Sequence, residues 1–223
     1  MSDSGKIRAA KWEVLRQRRE IPHDIRRLYH LIMGLVSFAI YAWWLDRSSA
    51  LWTLAAVGVP LLAFDIVRLR SARVRNLALK HLAPLMRRNE LLNLSGNSYF
   101  ILGLFVILGC FSKNIALLSV LFLAIGDPVA SFFGTRYGSW RLPGGKSVQG
   151  CLANAVVSAL AAGAFGVGYL DLAWADAVVL AVVGGTVSMV AEWVPSPVDD
   201  NLTIPVLSAL QLHALQSLFI VKI

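Results

Sequence analysis

Seven long apolar stretches, separated by short polar segments, fill almost all of this chain after its first 27 residues. They span 28–45, 51–67, 94–111, 115–133, 148–169, 173–194 and 203–220, roughly 18 to 22 residues each and so near the ~20 that cross the hydrocarbon core of a bilayer. The chain is 57% hydrophobic and only 15% charged, with a mean hydropathy of +0.64, whereas soluble domains carry about a quarter charged residues. These features predict an all-α, polytopic membrane bundle of about seven transmembrane helices. Residues 1–27 then form a basic cytoplasmic or interfacial segment, and 28–223 a single transmembrane catalytic domain. The third stretch opens on Asn93, Ser95, Gly96, Asn97 and Ser98, so a broken or half-length helix is expected there.

Basic residues set the expected orientation. Of the 21 Lys and Arg, 18 lie on one set of alternate connections and 3 on the other, which puts the richer set and the amino terminus in the cytoplasm. The net charge of +8 does not point to nucleic acid, because the basic clusters, in the tail through Arg27 and from Arg68 to Arg88, border apolar segments. There they meet anionic headgroups. The tail, with Trp12, could lie on the membrane surface as a basic helix. The first 27 residues contain no short apolar run, so no cleavable signal is expected. Cys110 and Cys151 sit inside apolar stretches with no metal or disulfide spacing, and packing is their expected role.

That orientation sorts the polar loops. The outer connections are minimal, whereas the inner ones hold GDPVASFFGTRYGSWRLPGGKS (126–147) and PSPVDDNLTIP (195–205). Gly144 and Gly145 let the backbone approach a ligand, Lys146 adds a point charge, and Ser147 can cap the fifth transmembrane helix. Together they make an anion cradle, although no strand precedes it and Trp140 stands where a Walker A loop needs glycine. Asp127 is read as ending the fourth helix, and Asp199-Asp200-Asn201 as preceding the seventh, which Pro205 helps to start. Paired carboxylates and an amide oxygen are hard ligands suited to Mg²⁺ carried on phosphates. Capping is the plainer account of one such acid but hardly of three.

Glu192, one turn inside the sixth helix, is expensive there unless paired, with Lys146 or Arg136 as candidate partners. Gly150, Asn154, Ser158, Ala162 and Gly166 recur every four residues and predict close helix packing, with Asn154 able to face the site. Asp65 and Arg68 stand at i and i+3 and can pair. Gln211, His213 and Gln216 are expected to make interhelical hydrogen bonds in the last helix.

Five stretches, RRLYH (26–30), ELLNLSGNSYF (90–100), GDPVASFFGTRYG (126–138), GGKSVQG (144–150) and AEWVPSPVDDNLTIP (191–205), resemble in order and spacing the CTP-dependent lipid kinases. That family includes dolichol kinase, phytol kinase and the CTP-using diacylglycerol kinase. Arg27 stands where the family usually has Lys, and Gln149 where it has Glu. The resemblance implies transfer of the γ-phosphate of CTP to the hydroxyl of a membrane lipid alcohol. It implies a multi-pass protein of the cytoplasmic membrane in a prokaryote or of the endoplasmic reticulum in a eukaryote. Lys146, Gly144, Gly145, Ser147, Gly134 and Asn201 would then surround the nucleotide, with Asp199 and Asp200 on Mg²⁺. Asp127 would orient or deprotonate the hydroxyl, with a metal-ligand role as the alternative, and Arg26, Arg27 and His30 would contact phosphate or product. Glu192 and Asn154 would support these groups. Two other readings compete: a CTP:phosphatidate cytidylyltransferase, and a transporter, which would want polar groups at the bilayer midplane and an internal repeat.

Overall fold

The computed structural model describes residues 23–81, 90, 93–218 and 223, and in them the chain is helical without strands. The helices are α1 (His23–Trp43), α2 (Arg47–Arg70), α3 (Ala72–His81), α4 (Gly96–Cys110), α5 (Lys113–Tyr137), α6 (Val148–Gly168), α7 (Trp174–Trp193) and α8 (Asp200–Ser217). Each of the seven expected segments coincides with one helix, and α3, short and basic, is the addition. The expected surface helix around Trp12 lies outside the described residues, as do Arg87 and Arg88.

Local chemistry moves several boundaries. Asp46 accepts hydrogen bonds from the Ser48 and Ser49 amides, so α2 begins at Arg47 rather than at Leu51. α4 is the short helix its polar start predicted: Ser95 caps it by accepting from the Ser98 amide, and it runs only 15 residues. Asp127 does not end its helix. α5 continues through a π-helical turn at Phe122–Gly126 into Asp127–Tyr137. Pro128 has no N–H for the carbonyl four residues back, and the wider turn before it absorbs that loss. Pro205 likewise lies inside α8, which starts five residues earlier with Asp199 as its cap.

Among the described residues four helices, α2, α5, α6 and α7, are long and apolar enough to cross a membrane. α4 is apolar but shorter, while α1 carries Arg26, Arg27 and His30 and α8 carries Gln211, His213 and Gln216, which lower their hydropathy. Of the four, α5 is the central one, with 72% of its span buried against 17% for α2. The outer faces of α2, α6 and α7 expose Trp52, Val156, Leu160 and Val182, an apolar exterior of the kind lipid covers.

The transmembrane-sized helices alternate in direction. At one end Lys113, the first residue of α5, donates to the Leu45 carbonyl after α1, and Tyr169, after α6, donates to the Ala42 carbonyl. The starts of α1, α4, α6 and α8 and the ends of α2, α5 and α7 therefore gather at the opposite end. The small-residue row on α6 is buried as expected, and α7 lies against it through glycine. A Cβ at Gly185 would come 2.6 Å from the Ala155 carbonyl oxygen. Gly185→Leu is therefore expected to cost about 1–3 kcal/mol by overpacking, read as a lowered Tm in detergent. Gly109→Leu, where nothing lies within 4 Å, should leave Tm near that of the parent; equal Tm values for all three proteins would contradict this packing.

Candidate functional site

The loop from α5 to α6 folds back on itself. Arg141 and Ser147 form an antiparallel bridge, Gly145 donates its amide to the Leu142 carbonyl at 3.1 Å, and Pro143-Gly144 fill the turn with Gly144 at φ +88°. Only glycine adopts that angle without strain, and Gly145 follows at +85°. Gln149 braces the loop through the Ser139 hydroxyl and the Trp140 amide. Ser147 caps α6 as expected, accepting from the Gly150 amide at 3.1 Å.

This loop delivers Lys146 to two carboxylates. Its Nζ lies 2.8 Å from Glu192 Oε1 at the end of α7 and 3.0 Å from Asp200 Oδ2 in the first turn of α8. Burial works to lower the Lys146 pKa, but the two carboxylates outweigh it and hold the ammonium above the ordinary lysine range. Of the two partners anticipated for Glu192, Lys146 is the one it has, while Arg136 lies over the Phe132 ring. The Asp127 carboxylate is within electrostatic range of Glu192.

Asp127 follows directly on the π turn and faces His30, whose Nε2 is 4.0 Å from Asp127 Oδ2. π turns often mark functional positions in helices. Beneath the turn, Gly126 rests on Asn154, whose Oδ1 accepts hydrogen bonds from Ser188 at 2.6 Å and Ser158 at 2.8 Å. Asn154 thus sets the seat of Asp127. Arg27 crosses from α1 to α5, donating to the Ser131 hydroxyl and carbonyl and to Thr135, with Asp24 as its carboxylate partner.

A cavity of about 530 Å³ opens beside these groups, walled by α1, α2, the start of α4, α5 and Asn201. Its floor is a buried knot. Asp65 and Arg68, 4% and 1% exposed, pair on α2. Arg68 also donates to the Glu90 and Asn93 carbonyls, at 2.8 and 2.9 Å. Asp65 accepts from the Ser95 amide at 2.6 Å and the Ser98 hydroxyl at 2.8 Å, and Glu90 accepts from the Gly96 amide at 3.1 Å. Two carboxylates therefore meet the positive end of the α4 dipole. The i, i+3 spacing announced the pair. Its hold on Glu90, Asn93, Ser95 and Ser98, and the part played by the Glu90 carboxylate, depend on contacts that local spacing does not show.

Arg26, Arg27, His30, Asp127 and Asn201 line the cavity, and Lys146, Glu192 and Asp200 form the adjoining cluster. Asp199 caps α8, accepting from the Asn201 amide at 3.0 Å, and Asn201 reaches across to the Gly96 carbonyl, also at 3.0 Å. Gly134 packs at the α5–α6 contact, where a Cβ would meet Ser147 Oγ at 2.8 Å. Far from the site, Gln211 bonds within its own helix rather than to a neighbour, and His213 packs edge-on against Phe111. Among the described residues no three His, Cys, Asp or Glu side chains converge to hold a metal ion. The half-exposed Asp200 carboxylate, with Asp127 nearby, suits a hard cation that brings its remaining oxygen ligands with it.

Comparison with known proteins finds relatives named as lipid kinases. The chain is 30% identical over 218 residues to the CTP-dependent diacylglycerol kinase 1 of Eremothecium gossypii, covering 89% of this chain and 68% of that protein. It is 28% identical over 222 residues to the Saccharomyces cerevisiae protein of the same name, covering 91% and 75% respectively. A probable chloroplastic phytol kinase of Triticum aestivum is 27% identical over 215 residues, covering 89% and 70%. No protein-family profile matches the chain, and no solved structure does. This chain belongs to the family of CTP-dependent lipid kinases.

The Asp65–Arg68 knot yields a prediction of its own. Asp65→Ala leaves Arg68 buried without its carboxylate, a loss of about 3–5 kcal/mol for a buried pair. Replacing both by Leu and Met should be milder. Chemical denaturation in micelles should show that order, and a single variant as stable as the parent would contradict the pairing.

Proposed function

We propose that this protein transfers the γ-phosphate of CTP to the hydroxyl of a membrane lipid alcohol, with diacylglycerol as the leading acceptor, at the cytoplasmic face of a seven-span bundle. The observation that carries this reading is the convergence of Lys146, Glu192 and Asp200 beside Asp127, in a chain whose relatives bear the names above. Phosphoryl transfer needs charge neutralisation and in-line positioning more than covalent chemistry, and a cation fixed by two carboxylates next to a further carboxylate supplies both.

In this mechanism the lipid hydroxyl oxygen bonds to the γ-phosphorus, the bond from that phosphorus to the β–γ bridging oxygen breaks, and CDP leaves. Asp127 orients the hydroxyl and takes its proton, while His30 across the cavity stabilises the carboxylate. Lys146 meets the nucleotide phosphates, held by Glu192 and Asp200. The Gly144–Gly145 turn keeps the loop close enough for its backbone to approach them. Mg²⁺ borne on CTP would be held by Asp200, with Asp199 beside it, and would neutralise the charge on the β- and γ-phosphates. Arg26 and Arg27 stand where the phosphorylated product leaves.

Support for seven spans comes from the alternation of helix directions and from aromatic residues at both ends: Trp43, Trp52 and Trp174 at one, Tyr29, Tyr137 and Trp193 at the other. The 18-to-3 distribution of basic residues supports a cytoplasmic site end. A tag after Ile223 should be reached only from outside, and one inserted after Ser71 only from the cytoplasm. Both tags on one side would remove a span.

Kinetics separate the roles. Lys146→Ala should raise the KM for CTP without rescue by metal, and Asp200→Asn should be partly rescued by Mn²⁺, which binds such oxygen sites more tightly. Asp127→Asn should lower kcat by about 10²- to 10⁴-fold with CTP affinity nearly intact. Metal rescue of Asp127→Asn would exchange the two acids' roles, and full activity of any of the three variants would refute the shared site.

A further inference from the structure

The cavity beside Asp127 has two features that the donor cluster lacks. The first is its charge balance. Three arginines, Arg26, Arg27 and Arg68, share its walls with three carboxylates, Asp65, Glu90 and Asp127; Arg27 is tied to Asp24, Ser131 and Thr135, and Arg68 to Asp65 and two carbonyls. The α4 dipole is already met by Asp65 and Glu90. Such a lining suits a neutral hydroxylated head better than a triphosphate.

The second feature is its mouth. Tyr29, Leu61 and Phe64 line the cavity, yet each is 43–49% exposed, so they stand where it meets the outside. They come from two helices whose main packing is on others: α1 leans on α5, and α2 on α4 and α3, which leaves a seam between α1 and α2 among the described residues. Leu61 lies seven residues from Arg68, about 10 Å along the helix at 1.5 Å per residue. The seam thus opens sideways at the depth where headgroups give way to acyl chains. One turn further along the same helix faces, α1 and α2 expose Ile32 and Val57, an apolar flank to the mouth.

We infer that the seam between α1 and α2 is the lateral entry for the acceptor lipid, whose hydroxyl head fills this cavity against Asp127 while its chains stay in the bilayer. The inference rests on the kinase reading for the identity of the lipid and on the geometry alone for the route. CTP then approaches from the opposite, aqueous side, where the Asp200 side chain is 43% exposed and that of Lys146 21%. Leu61 and Phe64 become residues that set which alcohols enter.

Two experiments on the full chain in phosphatidylcholine vesicles test it. A diacylglycerol bearing a diazirine on one acyl chain, photolysed and mapped by mass spectrometry, should label peptides of α1 and α2 around Tyr29, Leu61 and Phe64. Leu61→Trp and Phe64→Trp should each raise the KM for diacylglycerol about tenfold, with the KM for CTP within twofold of the parent. Val156→Trp, on the exposed face of α6, should change neither. Labelling confined to α6 and α7, or an unchanged lipid KM in both variants at the seam, would overturn the entry route. Labelling needs no turnover, so a chain that labels at the seam but transfers no phosphate would keep the route and count against the kinase reading.

Discussion

A charge inside an apolar bundle persists only where its partner is built in, and this chain concentrates those partnerships at one end. Lys146 joins the α5–α6 loop to the end of α7 and the start of α8, and Asp65 with Arg68 joins α2 to the segment that begins α4. Arg27 joins α1 to α5. With these three cations satisfied, seven helix ends are pinned around the cavity and the Lys146 cluster beside it. At the far end the ties are fewer, such as Lys113 and Tyr169 to single carbonyls, and aromatic side chains take over. The chemistry-capable end is therefore also the end with the most specific polar bonding.

The central helix places the acid at the middle of this arrangement. A straight α5 would give Pro128 a carbonyl it cannot satisfy, and the π turn at Phe122–Gly126 removes that conflict while turning Asp127 toward the cavity. Asn154 accepts two serine hydroxyls and lies against Gly126, where no larger residue fits without displacing it. The small-residue row on α6 thus serves the site as well as the packing, because it lets α5 and α7 approach closely enough for one amide to fix the turn. Membership of the CTP-dependent lipid kinases accords with this economy, since phosphoryl transfer asks the protein for position and charge rather than for a nucleophile.

Much of this was legible in the sequence, for identifiable reasons. Helices need long apolar runs, and the runs at 148–169 and 173–194 agree with α6 and α7 to within one residue because Ser147 and the Pro195 that follows Val194 bound them sharply. The Lys146–Glu192 pair was foreseeable because an intramembrane carboxylate demands a cation. Boundaries failed where polar residues are helical: Arg47–Ala50 at the start of α2, and Asp200–Leu202 at the start of α8. Gly126-Asp127-Pro128 reads as a helix end, and the π turn before Asp127 is what lets the helix continue. The role of Glu90 and the grip of Arg68 on the chain before α4 are not legible in the sequence, because their bonds join residues 6, 22 and 25 apart and such spacings carry no periodic signal.

The central claim is that the bond broken lies between the β- and γ-phosphates of CTP. Purified protein in vesicles containing diacylglycerol, incubated with Mg²⁺ and either γ-labelled or α-labelled CTP, tests it most directly. The account predicts that γ-label enters the lipid as a phosphomonoester while α-label stays in the aqueous phase as CDP. Appearance of α-label in the lipid fraction with release of pyrophosphate would mean nucleotidyl transfer instead, and would contradict the account.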